Sequence, residues 1–188
     1  MKNHVHQIRE ELPLVAAFIA AIWVVFVLDR FLPLENLGLV PRNISHLPGI
    51  LAMPFLHGDW GHIMSNTVPL IVLLTLLAGS KANSRWIVLG IVVMGGLLLW
   101  LFGRGSALHI GASGLVFGLA VFLIVSGFLE RRTVPIIVAV VVTFLYGSSL
   151  LSGIMPFQKG VSWDGHLFGG LAGGLVAWFM ARNLRGGR

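Results

Sequence analysis

The chain has 188 residues, 56% of them hydrophobic and 11% charged, with a mean hydropathy of +0.91; a soluble domain of this size cannot bury so much apolar surface. It contains no cysteine, which excludes disulfides and thiolate chemistry. The net charge of +6 is not a nucleic-acid signal, because the basic residues flank apolar runs and no aromatic-basic repeat accompanies them.

Crossing about 30 Å of hydrocarbon at about 1.5 Å per residue takes about 20 apolar residues. Six segments qualify, at about 12–31, 58–78, 84–102, 109–128, 133–151 and 163–181. No small-residue cleavage pattern follows the first, so it reads as a retained span and not as a signal peptide. The loop at about 32–57 is long, apolar and rich in proline, and is expected to lie partly in the membrane interface. The second span opens on His57-Gly58-Asp59-Trp60-Gly61-His62 and runs on to Asn66. Residues 79–83 and 130–132 are short connections that predict tight helical hairpins. The fourth span opens on Gly111-Ala112-Ser113-Gly114, and the sixth on Asp164-Gly165-His166. The loop at 152–162 holds Gly153, Pro156 and Gly160, which favour turns; with the fifth span it is a candidate gate. The expected architecture is all-α, one six-span membrane domain over 1–188 with short tails at about 1–11 and 182–188.

Charge sets the orientation. Lys2, Arg9, Lys81, Arg85, Arg131, Arg132, Arg182, Arg185 and Arg188 fall on one side of these spans, and only Arg30, Arg42, Arg104 and Lys159 on the other. Both termini are therefore expected in the cytoplasm, with the chain in a prokaryotic plasma (inner) membrane. The even-numbered spans then begin at the outer side, so the three polar clusters share one level, each at a helix N-terminus where free N–H groups stabilise developing negative charge.

Spacing within the clusters adds geometry. His62 and Asn66 are four apart and share a helix face, where both can donate to one oxygen. Ser113 and Phe117 have the same spacing, which puts an aromatic ring one turn below the serine. His166, Gly169 and Gly173 form a flat strip, matched by Gly114 and Gly118 on the fourth span; close approach of the two helices would bring His166 to Ser113.

These motifs resemble the rhomboid family. Its pattern of a His followed by His-x-x-x-Asn at the second span is matched by His57, His62 and Asn66. Its Gly-x-Ser-Gly is matched by Gly111-Ala112-Ser113-Gly114, and its His-x-x-Gly-x-x-x-Gly by His166, Gly169 and Gly173. The resemblance implies a six-transmembrane-helix bundle and an intramembrane serine endopeptidase that cleaves transmembrane proteins near the outer membrane boundary, without metal or cofactor. It implies Ser113 as nucleophile, His166 as general base, an oxyanion hole of His62, Asn66 and the Ser113 N–H, and Phe117 stacked beneath His166. The chain departs from the family at the first loop, which has Pro41-Arg42-Asn43 where a Trp-Arg pair is frequent.

The remaining polar residues have other expected roles. His57 reads as structural, tying the first loop to the second span. His109 belongs to the loop before the fourth span, and His4, His6 and His46 read as solvated. Asp59 and Asp164 are expected in loop or N-cap roles, and Trp60, Trp100 and Trp163 as interfacial anchors. No His-Glu-x-x-His occurs for a metalloprotease and no buried Asp pair for an aspartyl protease. A transporter using His62, Asn66 and His166 as a proton path would show repeated halves, which are not evident here. An inactive rhomboid-like binder of membrane proteins is the remaining alternative.

Overall fold

A computed structural model describes residues 2–81, 84–105, 107–156 and 160–186, with side chains between Arg9 and Asn183. Lys159, Arg188 and the side chains of Lys2, His4, His6 and Arg185 lie outside the described residues. Seven helices and no strand occur among them: α1 (Lys2–Leu28), α2 (Gly49–Ala52), α3 (Trp60–Ser80), α4 (Ser84–Phe102), α5 (Ser113–Glu130), α6 (Thr133–Gly153) and α7 (Trp163–Gly186). Five of the six long ones are apolar enough to cross a membrane on length and composition alone. The exception, α7, has 24 residues, but Asp164, His166 and its glycines dilute its hydropathy. The bounds of α4 coincide with the expected third span. Both ends of the chain are helical beyond the expected spans, because α1 and α7 run on into charged sequence.

α5 is the centre of the bundle, with Leu115, Leu119, Ala120, Phe122 and Leu123 all nearly inaccessible. α7 packs on it so closely that a Cβ at Gly169 would lie 2.0 Å from the Gly114 carbonyl oxygen, and one at Gly173 2.0 Å from that of Gly118. Only glycine permits this backbone-on-backbone contact. α4 closes the far side of α7 through Gly95. α1 lies on α3, burying Ile22 and Phe26, with Phe26 edge-on to Trp60 and Trp23 Nε1 donating to Thr67 at 3.2 Å.

The first loop is folded, not merely interfacial. Ile50 on α2 fills the notch that Gly96 leaves in α4, and Gly49 rests on the backbone at Gly38. Arg42, at φ 60°, donates to the carbonyls of Leu101 (3.2 Å) and Gly103 (2.7 Å) and so satisfies the end of α4. Trp100 Nε1 returns a bond to Asn43 O at 3.0 Å. Arg42 thus docks the loop without the Trp-Arg pair. His46, expected to be solvated, is half-buried, with Nδ1 at 2.8 Å from the Gly38 carbonyl.

At the opposite end, Lys81 is 7% exposed and ion-paired with Glu130, and Ser84 donates to Glu11. Lys81 is therefore a pinned residue at the α3–α4 connection and not the free surface charge that its position beside a short loop implies.

Candidate active site

The three polar clusters meet in one cavity of about 1030 Å³, walled by Asp59, His62 and Asn66 from α3 and its cap, Ser113 and Phe117 from α5, and His166 from α7. The glycine seam between α5 and α7 makes this possible. It draws the two helices together one turn below their N-termini, where Ser113 and His166 sit.

His166 is 9% exposed and held on two sides. Its ring stacks on Phe117, with centroids 4.1 Å apart and planes 10° from parallel. Its Nδ1 is 2.8 Å from the carbonyl oxygen of Gly153. A carbonyl can only accept, so Nδ1 carries the hydrogen and Nε2 keeps the lone pair. Gly153 has to be glycine here, because a Cβ would fall 2.4 Å from the Phe117 ring.

Ser113 is half-buried at the first position of α5. Ala112 precedes it and offers no side-chain cap, so the first-turn N–H groups have no helical partner. Gly111 makes the turn at φ +109°, a conformation suited to glycine, and its N–H donates to Met53 O at 2.8 Å. The His62 ring lies over this turn; a Cβ on Gly111 would be 2.4 Å from His62 Nε2. Asn66, 3% exposed, donates one amide hydrogen to His62 O at 2.8 Å and retains the other.

Of the three helix starts, α5 has no side-chain cap, and α3 carries the cap expected of Asp59. Asp59 caps α3 by accepting from His62 N at 2.8 Å. The Ser162 hydroxyl accepts from Gly165 N at 3.3 Å at the start of α7. Asp164 is not a surface cap: it is 1% exposed and accepts from the Arg104 backbone N and Nη2, both at 3.0 Å. It faces Arg104 and His109, and His166 is anchored elsewhere. His109 lies in the loop, as expected, but is buried. Its backbone exchanges two bonds with Leu39, at 2.8 and 2.9 Å, and its Nδ1 is 2.7 Å from Ser162 Oγ. Burial lowers its pKa from the usual histidine value despite the nearby Asp164. Sequence reading missed this cluster. The one signal was an Arg and a His in a loop bordering two apolar spans.

His57 is fully buried in the loop ahead of α3, its ring edge-on to that of His62 at 4.9 Å. Its Nδ1 hydrogen points at Phe55 O, 3.4 Å away, and its Nε2 has no partner among the described residues. Burial, reinforced by repulsion from His62, lowers its pKa to about 4, so it is neutral near pH 7. Trp163 lies beneath the Arg104 guanidinium, 5.4 Å from the ring centre.

A helical membrane bundle with a serine, a histidine and two amide or imidazole donors around one cavity defines a narrow class, and comparison with known proteins places the chain in a family of membrane proteins. The Rhomboid domain family matches residues 45–183, and the chain belongs to the rhomboid family. It is 39% identical over 179 residues to uncharacterized proteins of Mycobacterium tuberculosis and Mycobacterium bovis, covering 89% of this chain and 74% of theirs. An uncharacterized protein of Mycobacterium leprae is 36% identical over 178 residues, covering 89% of this chain and 70% of its own. The protein is accordingly an integral membrane protein of rhomboid type.

Proposed function

We propose that this protein is an intramembrane serine endopeptidase that cleaves transmembrane proteins near the outer membrane boundary, working through a Ser113–His166 dyad. The observation that carries the reading is the tautomeric lock on His166. With Nδ1 held by Gly153 O at 2.8 Å and the ring fixed on Phe117, the basic Nε2 is the nitrogen left to meet a hydroxyl.

Ser113 Oγ attacks the scissile carbonyl carbon while its proton passes to His166 Nε2. The carbonyl oxygen becomes an oxyanion and receives hydrogen bonds from His62, the second Asn66 amide hydrogen and the uncapped Ser113 N–H. As the carbon–nitrogen bond breaks, the imidazolium returns its proton to the leaving amine. Water, deprotonated by the same nitrogen, then hydrolyses the acyl-enzyme and restores both residues. Asp164 takes no part, because it is engaged by Arg104, and Asp59 caps α3 through His62 N. The Gly111 turn, the Gly114 and Gly169–Gly173 seam and buried His57 support the site without reacting. The chain acts as one six-span domain with both termini in the cytoplasm and lies in a prokaryotic inner membrane, as its basic residues favour.

The test is labelling by a fluorophosphonate together with cleavage of a panel of single-span substrates. Wild type should react in both assays, and folded Ser113→Ala and His166→Ala in neither. Labelling of Ser113→Ala at the wild-type rate would remove Ser113 from the role. Asn66→Ala should lower kcat by the equivalent of about 2.7–4 kcal/mol with KM little changed, the pattern of a donor that acts only in the transition state.

A further inference from the structure

Glycine contacts set how far apart two helices lie, but they are non-directional and leave axial rotation and slide to other forces. Directional bonds supply that control just above the α5–α7 seam. The Asp164 carboxylate, 1% exposed, accepts from Arg104 at its backbone N (3.0 Å), Nη2 (3.0 Å) and Nε (3.3 Å). His109, 2% exposed, turns Nδ1 to Ser162 Oγ at 2.7 Å and Nε2 toward Asp164 Oδ2 at 3.8 Å. Ser162 Oγ in turn receives the Gly165 N–H at 3.3 Å. His109 stands four residues before Ser113, and Asp164 two before His166, so the cluster joins the loop entering α5 to the first turn of α7.

We infer that Arg104, His109 and Asp164 are positioning residues that fix the rotation of α7's first turn relative to the Gly111 turn, and with it the approach of His166 to Ser113. The inference rests on the protease reading. A buried carboxylate is tolerated only when fully bonded, and two-pronged charge-assisted bonds from a guanidinium fix direction as well as distance. Misplacing a reacting group by about 1 Å can cost about a hundredfold in rate. The cluster contains a Ser, a His and an Asp, yet it is not a second catalytic triad. Ser162 oxygen caps a helix, and the Asp164 charge is matched by Arg104.

Asp164→Asn, Arg104→Gln and Arg104→Lys test the inference by the rate of fluorophosphonate labelling at Ser113, by kcat and KM on a single-span substrate, and by thermal stability. Folded Asp164→Asn should lose between about ten- and a hundredfold in labelling rate and kcat with KM within about twofold, and Arg104→Lys should recover more activity than Arg104→Gln. A wild-type kcat in folded Asp164→Asn, or a loss accounted for by the unfolded fraction alone, would overturn the inference. If Asp164→Asn does not fold, His109→Gln leaves the ion pair intact and carries the same two outcomes. The protease reading fails by a different sign, the absence of any labelling in the wild-type protein. Labelling that survives Ser113→Ala and disappears in Ser162→Ala would assign the nucleophile to the cluster itself and overturn both.

Discussion

Two helices flank α5, and they are held in opposite ways. α7 is sealed to it along the half that begins at its N-terminus, where Gly169 and Gly173 touch the carbonyls of Gly114 and Gly118. α6 is most deeply packed at its other half, where Pro135, Val138, Ala139 and Val142 are buried and Gly127 receives the Pro135 turn. Beyond Val142 it is held more lightly, by partly buried Tyr146 and Leu150 and by Gly153 against Phe117, with Phe144 88% exposed and Leu151 67%. In a bilayer those side chains face lipid at no cost, so α6 gains little by closing on α5. The candidate chemistry rides on the sealed seam, and the cavity wall formed by Leu145, Tyr146 and Ser149 belongs to the loosely held helix.

The contrast breaks most severely at Gly173→Val. Its Cβ would enter the Gly118 backbone, which cannot yield, and a loss exceeding about 4 kcal/mol is expected, read as failure to recover a folded monomer or as a large fall in melting temperature. Gly127→Val is the matching insult to α6. Its Cβ would lie 2.5 Å from Ala139 Cβ and 2.7 Å from Pro135 O, and about 1–3 kcal/mol of overpacking should lower stability while cysteine crosslinks across the α5–α7 seam still form.

A pH series probes the capped entry to the site. The His57 pKa is depressed from 6.5 to about 4, so the stability it contributes is complete above about pH 6.5 and is lost as pH falls toward 4, where the unfolded chain takes up the proton first. His57→Gln should flatten the acid limb of melting temperature against pH; an unchanged slope would show that another group governs it. The smallest effect belongs to Gly147→Ala on the open half of α6. Nothing lies closer than 3.8 Å to the added carbon, and helix propensity should raise stability by up to about 1 kcal/mol.

Much of the fold was legible because membrane spans announce themselves by length, and α4 was bounded correctly on that basis alone. The meeting of the candidate residues in one cavity was legible for a related reason. Ser113, His166, His62 and Asn66 are polar residues at the starts of apolar segments, and alternating topology collects such starts on one side. What escaped was the pairing of residues across distance. Asp164 meets Arg104 sixty residues away, and Lys81 meets Glu130 forty-nine away. Nothing in the local pattern distinguishes these buried partners from solvated surface charges. α1 begins at Lys2, ahead of the expected span, because hydropathy marks apolar length and not where a helix starts.

Gly153 is the last residue of α6, and its carbonyl is also the anchor of His166 Nδ1. The lightly held end of α6 and the proposed base are therefore joined by one bond. A swing of the end of α6 that stretched this 2.8 Å bond beyond hydrogen-bonding range would free the imidazole to change tautomer or rotate off Phe117. The bond would then act as an interlock: with the wall displaced the proposed base would be disarmed, and it would be rearmed only when the wall returned. Entry and reaction would then be separated in time by a single backbone oxygen.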